Sequence, residues 1–195
     1  MADRYANFAE LSRSEREGVD FRICCTRREL GVAIIAPHGG KIEPGTSQIA
    51  SAIAGSEYSV YCFEGMKPSD NTALHITSEN FDEPRCEELV SASDYVVAVH
   101  GLAGKNQAID MGGLDEAFRD SICANLVGEG FTANVVTSGP HAGTHPRNIC
   151  NRGRRHAGVQ LEITKGLRDA LAAQPQRMSD FAFAVREAIL DKVGE

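Results

Sequence analysis

No apolar run in this 195-residue chain approaches the roughly 20 residues needed to cross a bilayer, which excludes a membrane-embedded helix. Residues 1–17 are polar and mixed in charge and lack the apolar core of a signal peptide. The expectation is a cytoplasmic protein, or one released by lysis. No C-x-x-C pair exists. The six cysteines are scattered, and the two that are close, Cys24 and Cys25, are adjacent, a spacing that rarely ligates one metal. Several lie in strand-like apolar runs such as Val60-Tyr61-Cys62-Phe63, the setting of reduced core thiols in a reducing compartment. Positive charge is also in deficit: 20 Lys and Arg against 27 Asp and Glu give a net charge of −7, which gives nucleic-acid binding little support. No repeat, low-complexity tract or linker divides the chain, so a single domain over 1–195 with its core at about 20–190 is expected, as a monomer.

What is present is an ordinary globular composition, 42% hydrophobic and 24% charged. Strand patterns fall at 20–25, 32–36, 58–63, 73–77, 95–100, 133–137 and 159–163. Helical patterns fall at 5–17, 46–54, 83–91, 114–126, 167–173 and 179–193. Several strands are continuous apolar runs, as expected for strands covered on both faces by helices. The alternation of strand and helix predicts an α/β fold with a mixed, mostly parallel central sheet flanked by helices.

The run Val32-Ala33-Ile34-Ile35-Ala36 ends at Pro37 and delivers His38 into a glycine-rich loop, with Glu43 five positions later and a helix starting at Thr46. A second run of the same kind, Tyr95-Val96-Val97-Ala98-Val99, ends at His100-Gly101. Any one of these histidines alone would read as a hydrogen-bonded loop residue. Together with Glu43 they form the two-histidine, one-carboxylate set of zinc hydrolases, which keep a coordination position open for water. His141 and His145 are four apart, but Pro140, Gly143 and Pro146 forbid a helix between them, so they are read as supporting or substrate-facing residues. His75 and His156 read as structural. A hydrolase of this type needs a general base. Glu162, in Val159-Gln160-Leu161-Glu162-Ile163, is the leading candidate, and Asp110 and Asp115 are weaker ones. From Arg147 to His156 there are four arginines and no acidic residue. That segment is either a carboxylate-binding patch or a solvated basic loop. Arg147 and Arg152 are the arginines placed nearest a ligand, with Asn151 as an added donor.

The segments Ala36-Pro37-His38-Gly39-Gly40-Lys41-Ile42-Glu43-Pro44-Gly45-Thr46, Val99-His100-Gly101, Gly112-Gly113-Leu114-Asp115 and Asn151-Arg152-Gly153 to Gly158-Val159-Gln160-Leu161-Glu162 resemble the poly-γ-glutamate hydrolases, phage-encoded and bacterial zinc enzymes with a fold distantly related to carboxypeptidase A. The resemblance implies a compact carboxypeptidase-like domain. It also implies one zinc ion on the residues matching His38, Glu43 and His100, and a base at Glu162. The implied reaction is hydrolysis of the γ-glutamyl amide of a polyanionic substrate. The cluster at 147–156, with Lys41 and Lys105, would form a basic track for it, and His145 would face it. Asn151 and Arg152 look like the Asn-Arg pair with which carboxypeptidases grip a substrate carboxylate, although here the pair follows the second zinc histidine instead of preceding it. No equivalent of the carboxypeptidases' mobile tyrosine is present, since Tyr5, Tyr58, Tyr61 and Tyr95 all precede His100. Two other readings stand beside this one: a phage or bacterial peptidase or amidase acting on the γ-glutamyl linkage of peptidoglycan, and a non-catalytic polyglutamate-binding phage protein.

Overall fold

The computed structural model describes residues 3–194. Seven strands among them form one mixed sheet: β1 (Phe21–Thr26), β2 (Val32–Gly40), β3 (Ser59–Gly65), β4 (Tyr95–Leu102), β5 (Ile109–Gly113), β6 (Ala133–Val135) and β7 (Val159–Thr164), in spatial order β1-β3-β2-β4-β7-β5-β6. The four central strands β3, β2, β4 and β7 run parallel. β1 and β5 are antiparallel to their inner neighbours, and β6 runs parallel to β5. Helices α1 (Phe8–Ser14), α2 (Thr46–Ala54), α3 (Pro84–Ser91), α4 (Glu116–Gly128), α5 (Lys165–Ala173) and α6 (Pro175–Val193) flank it. None of these helices is long and apolar enough to cross a membrane.

The period-two alternation of each central strand sorts its side chains into two cores. Val32, Ile34 and Ala36 of β2, Val97 and Val99 of β4, and Val159, Leu161 and Ile163 of β7 pack with α2, α4, α5 and α6. Ala33 and Ile35 of β2 and Val96 and Ala98 of β4 pack on the opposite face with Phe21, Tyr61, Phe63, Leu74, Ile76 and Phe81. The same alternation puts His100 and Glu162 on this second face. They are register partners across β4 and β7.

His38 would fall on the other face if β2 kept its alternation. It does not, because Ala36 pairs with Cys62 and Gly39 with Glu64, so β2 spends one residue more than β3 over that interval. This bulge, at the proline that has no N–H to give the ladder, turns the His38 ring toward Phe81, 6.3 Å between centroids, on the His100 side. The glycine that follows the bulge is required: Gly40 has φ 63°, and a Cβ there would lie 2.6 Å from Gly65 O.

Two expectations need correction, and one strand is unexpected. The segment 73–77 is not a strand. A 3-10 turn covers Asn71–Leu74, and the chain then runs extended beneath the sheet. Its apolar alternation is real, with Leu74 and Ile76 fully buried, but those side chains pack on the sheet's face, and the Thr77 N–H goes to the Asp3 carboxylate instead of a neighbouring strand. β5 carries an aspartate and two glycines, so its sequence has no strand signature; antiparallel pairing with β7 makes it one. Helix α1 is also shorter than its periodic pattern, with Asn7 capping its start.

Candidate active site

The carboxyl ends of β2, β4 and β7 open into a cleft of about 480 Å³. In open α/β sheets, this is where ligands bind. His38 comes from the bulged end of β2, Glu43 from the turn before α2, His100 from β4 and Glu162 from β7. His38 Nδ1 lies 3.2 Å from His100 Nδ1 and 3.5 Å from Glu43 Oε1; His100 Nδ1 is 4.0 Å from Glu43 Oε2. Both imidazoles are buried. The Gly101 N–H donates to Glu43 Oε2 at 2.7 Å and fixes the carboxylate. A Cβ at Gly101 would meet both Glu43 Cβ and Arg168 Cζ at 2.8 Å, which is why a glycine follows this histidine.

The donor arrangement fits a divalent ion. His38 Nε2 is 2.8 Å from Ile76 O, and a carbonyl only accepts, so Nε2 carries the hydrogen and the lone pair of Nδ1 faces His100 and Glu43. Two nitrogens bound at the 2.0–2.1 Å of tetrahedral zinc are separated by about 3.3 Å, close to the spacing seen here. Electron-rich atoms converging in a buried space demand a cation, and without a metal that cation is a proton. Burial works to lower the His38 pKa, but the Glu43 carboxylate and the Ile76 carbonyl raise it above the ordinary histidine value. Burial, with His38 opposite, lowers His100 to about 3. Glu43 is held down at about 2, because His38, His100 and the Gly101 N–H outweigh its burial. His75 also joins this group: it, His38 and Glu43 place one donor atom each within 4.8 Å of one another.

Glu162 meets the opposite condition. Burial first, and then the Glu43 charge, raise it to about 7. It accepts from Gln160 Nε2 at 3.1 Å, and Gln160 Oε1 in turn accepts from Asn148 Nδ2 at 2.8 Å. His141 Nδ1 stands 3.9 Å from the same Glu162 oxygen. A carboxylate with a near-neutral pKa, held by a buried amide chain, is suited to taking and returning a proton.

The other residues expected at the site divide sharply. His141 and His145 line the cleft, the latter 3.6 Å from Glu79. Asn151 does not. It is buried, with Oδ1 accepting from the Leu114 and Gly158 N–H groups and Nδ2 donating to the Gly143 and His145 carbonyls, so no donor remains for a ligand. Arg152 is likewise spent on Glu87 and on the Arg147, Ser78 and Glu79 carbonyls. The Asn-Arg clamp is therefore a loop-holding device. Arg154 pairs with Asp94, and Arg155 with Asp115 while lying 4.5 Å over the Tyr95 ring, at the start of β4 and so at the opposite end of the sheet from His100. Lys41 donates to the Met66 and Lys67 carbonyls, and Lys41, Lys105 and Arg147 are exposed outside the cleft lining. The expected basic track is absent from the cleft, whose lining contains no Lys or Arg but includes five of the chain's six histidines. Asp115 caps α4, and Asp110 accepts from Asn134; neither competes with Glu162.

Two residues had no functional signal in the sequence. Arg168, on α5, donates Nε to Ile163 O, Nη2 to Leu102 O and Nη1 to Pro44 O, tying together the chain beside Glu162, His100 and Glu43. Its placement on a helix face is readable from the pattern, but its three acceptors are brought together only by the fold. His75, read as structural, lines the cleft with its ring centroid 4.0 Å from that of His38.

Comparison with known proteins identifies the family. The chain is 38% identical over 170 residues to UPF0714 protein YndL of Bacillus subtilis, covering 87% of this chain and 67% of YndL. Its fold superposes with a TM-score of 0.93 on a bacteriophage poly-gamma-glutamate hydrolase, at 32% identity and 99% coverage of both chains. With the zinc-free apo form of YndL the TM-score is 0.92, at 34% identity, covering 98% of this chain and 99% of that one. The family model of the poly-gamma-glutamate hydrolases matches residues 5–181, which takes in every element that builds the cleft, and the chain belongs to that family.

Proposed function

We propose that His38, Glu43 and His100 hold one zinc ion, and that Glu162 is the general base in hydrolysis of the γ-glutamyl amide bonds of poly-γ-glutamate. The observation that carries this reading is the meeting of two buried Nδ1 atoms and a carboxylate depressed to about 2, beside a second carboxylate raised to about 7. Zinc supplies Lewis acidity, polarising the scissile carbonyl and acidifying the attacking water.

The protein's own groups supply the rest. Ile76 O and the Gly101 N–H orient His38 and Glu43, as partners of metal ligands characteristically do. Glu162 takes the proton from water as it attacks and delivers it to the departing nitrogen; the Asn148 and Gln160 amides keep its carboxylate aimed into the cleft. With no Lys or Arg in the lining, the substrate's carboxylates meet the imidazoles of His141 and His145 and the neutral donors Ser78 and Thr144. That arrangement gives modest affinity per residue, suited to a long substrate that must leave after each cut.

Zinc analysis of the wild type, His38→Ala and His100→Ala, with hydrolysis of poly-γ-glutamate and of muropeptides measured beside it, tests this directly. The expected result is one zinc per wild-type chain, loss of zinc in both variants, and cleavage of poly-γ-glutamate in preference to muropeptides. A wild-type protein that binds no zinc, or zinc-loaded protein that leaves poly-γ-glutamate intact, would overturn it.

A further inference from the structure

The residue that shapes the cleft from outside the ligand and base set is Asp3, more than 70 positions from the loop it holds. Its Oδ1 lies 2.7 Å from His75 Nδ1, and its Oδ2 accepts the Thr77 N–H at 2.6 Å, so one carboxylate spans both groups. Neighbouring contacts brace the same segment. Arg4 pairs with Asp70, and the Phe8 N–H donates to Asp82. An ionised carboxylate only accepts, so His75 Nδ1 carries a hydrogen, and the neutral ring has one polar atom left, the bare Nε2. Among the described residues, Asp3 is the only hydrogen-bond partner of this ring.

The geometry points to His75 as a substrate-contacting residue, with Asp3 as its positioning residue: the bare Nε2 accepts a hydrogen bond from an amide N–H of the bound chain. This rests on the polyglutamate reading above and extends it. Three observations carry it. The ring lines the cleft, with its side chain 36% exposed, whereas His38 and His100 are buried. Its ring stacks on that of His38, with centroids 4.0 Å apart and planes 31° from parallel, so it stands beside the proposed ligand set with a donor atom near it. Finally, an interior residue of a γ-linked glutamate chain offers carboxylate and carbonyl acceptors and a single donor, its amide N–H. A fixed, uncharged acceptor lining the cleft is matched to that one group, while Ser78, Thr144, His141 and His145 can donate to the chain's carboxylates and carbonyls. Thr77 and Ser78 adjoin it in the lining, so Asp3 sets the wall of the cleft as well as the ring.

The test uses the zinc-loaded full chain with two variants, Asp3→Asn and His75→Phe. Imidazole nitrogen-15 shifts should show wild-type His75 protonated at Nδ1 and bare at Nε2. In Asp3→Asn, one acceptor must serve two donors, and the Nδ1–H form should lose its predominance. Both variants should keep full zinc, and kcat/KM on poly-γ-glutamate should fall tenfold or more, mainly through KM in His75→Phe, which retains the stack on His38. The inference is overturned if wild-type Nε2 carries the proton, if His75→Phe loses its zinc, or if a zinc-loaded His75→Phe keeps kcat/KM within twofold. Failure of the wild type to cleave polyglutamate would instead defeat the reading on which this one rests.

Discussion

His100 and Glu162 face each other as register partners on adjacent parallel strands, both on the sheet face opposite the α2 and α6 core. This pairing holds a candidate ligand and the candidate base on two adjacent strands that are in register with each other through the site. Distances between them are therefore set by the sheet, and loops contribute only Glu43 and the cleft walls. Substitution effects at these positions can be read as chemistry.

Glu162→Gln keeps the shape and the hydrogen bond from Gln160 but removes the proton acceptor. Zinc content should be unchanged, while kcat on poly-γ-glutamate should fall by about 10² to 10⁴. Metal analysis and steady-state kinetics on the same preparation check both; kcat within tenfold of wild type would remove Glu162 from the proton-transfer role.

The pH profile follows from the same residue. Without zinc, Glu162 titrates at about 7, and a nearby dication lowers it, so kcat/KM should rise with pH on a limb centred at or below about 7. The stability sign runs the other way. The folded value lies above the ordinary 4.5, so the zinc-free protein has this residue's full contribution below about pH 4.5 and loses it as pH rises through 7. That gap corresponds to about 3 kcal/mol at most. Zinc-free Glu162→Gln should therefore gain stability over wild type at pH 8 and not at pH 4, measured by denaturant melts.

At the proposed site, zinc would compete with the proton that Glu43 favours on His38. Calorimetric titration in buffers of differing ionisation enthalpy should show proton release on zinc binding, larger at pH 6 than at pH 9. Buffer-independent heats would show that His38 is not protonated in the zinc-free form.

Arg168→Lys keeps the charge but cannot reproduce a planar fork bonded to three separate carbonyls. Zinc affinity should fall by about 10- to 100-fold, as for other residues that orient ligands, with thermal stability lowered as well. An unchanged zinc dissociation constant would confine Arg168 to holding the fold.

Asn151→Ala separates the two roles this residue has been given. As a loop-holding group it should cost about 1–3 kcal/mol in stability by orphaning buried backbone partners. KM at a temperature where the variant is folded should stay near wild type. A large KM rise with unchanged stability would restore the substrate clamp.

Much of this was legible along the chain. His38, Glu43, His100 and Glu162 each follow an apolar strand or the glycine-rich turn after one, and such positions gather at one end of a parallel sheet whatever the details. Helix α2 could be read to the residue at both ends. The arginine segment misled because charge density in sequence carries no record of partners: Arg152, Arg154 and Arg155 find Glu87, Asp94 and Asp115, which lie 40 to 65 positions away. The 73–77 alternation misled for a related reason. Period two reports which side chains are buried and does not say whether the backbone is paired.

The sequence by itself determined the α/β class, the strand ends that carry imidazoles and carboxylates, and the family, because apolar periodicity and short motifs are local properties. Tertiary structure alone decided that a one-residue bulge turns His38 to the face of His100, that Arg168 binds two strand ends and the turn before α2, that Asp3 reaches His75, and that the arginines of 147–155 lie away from the cleft. Each of these depends on a contact between segments far apart in the chain, and such contacts exist only once the sheet order and register are formed.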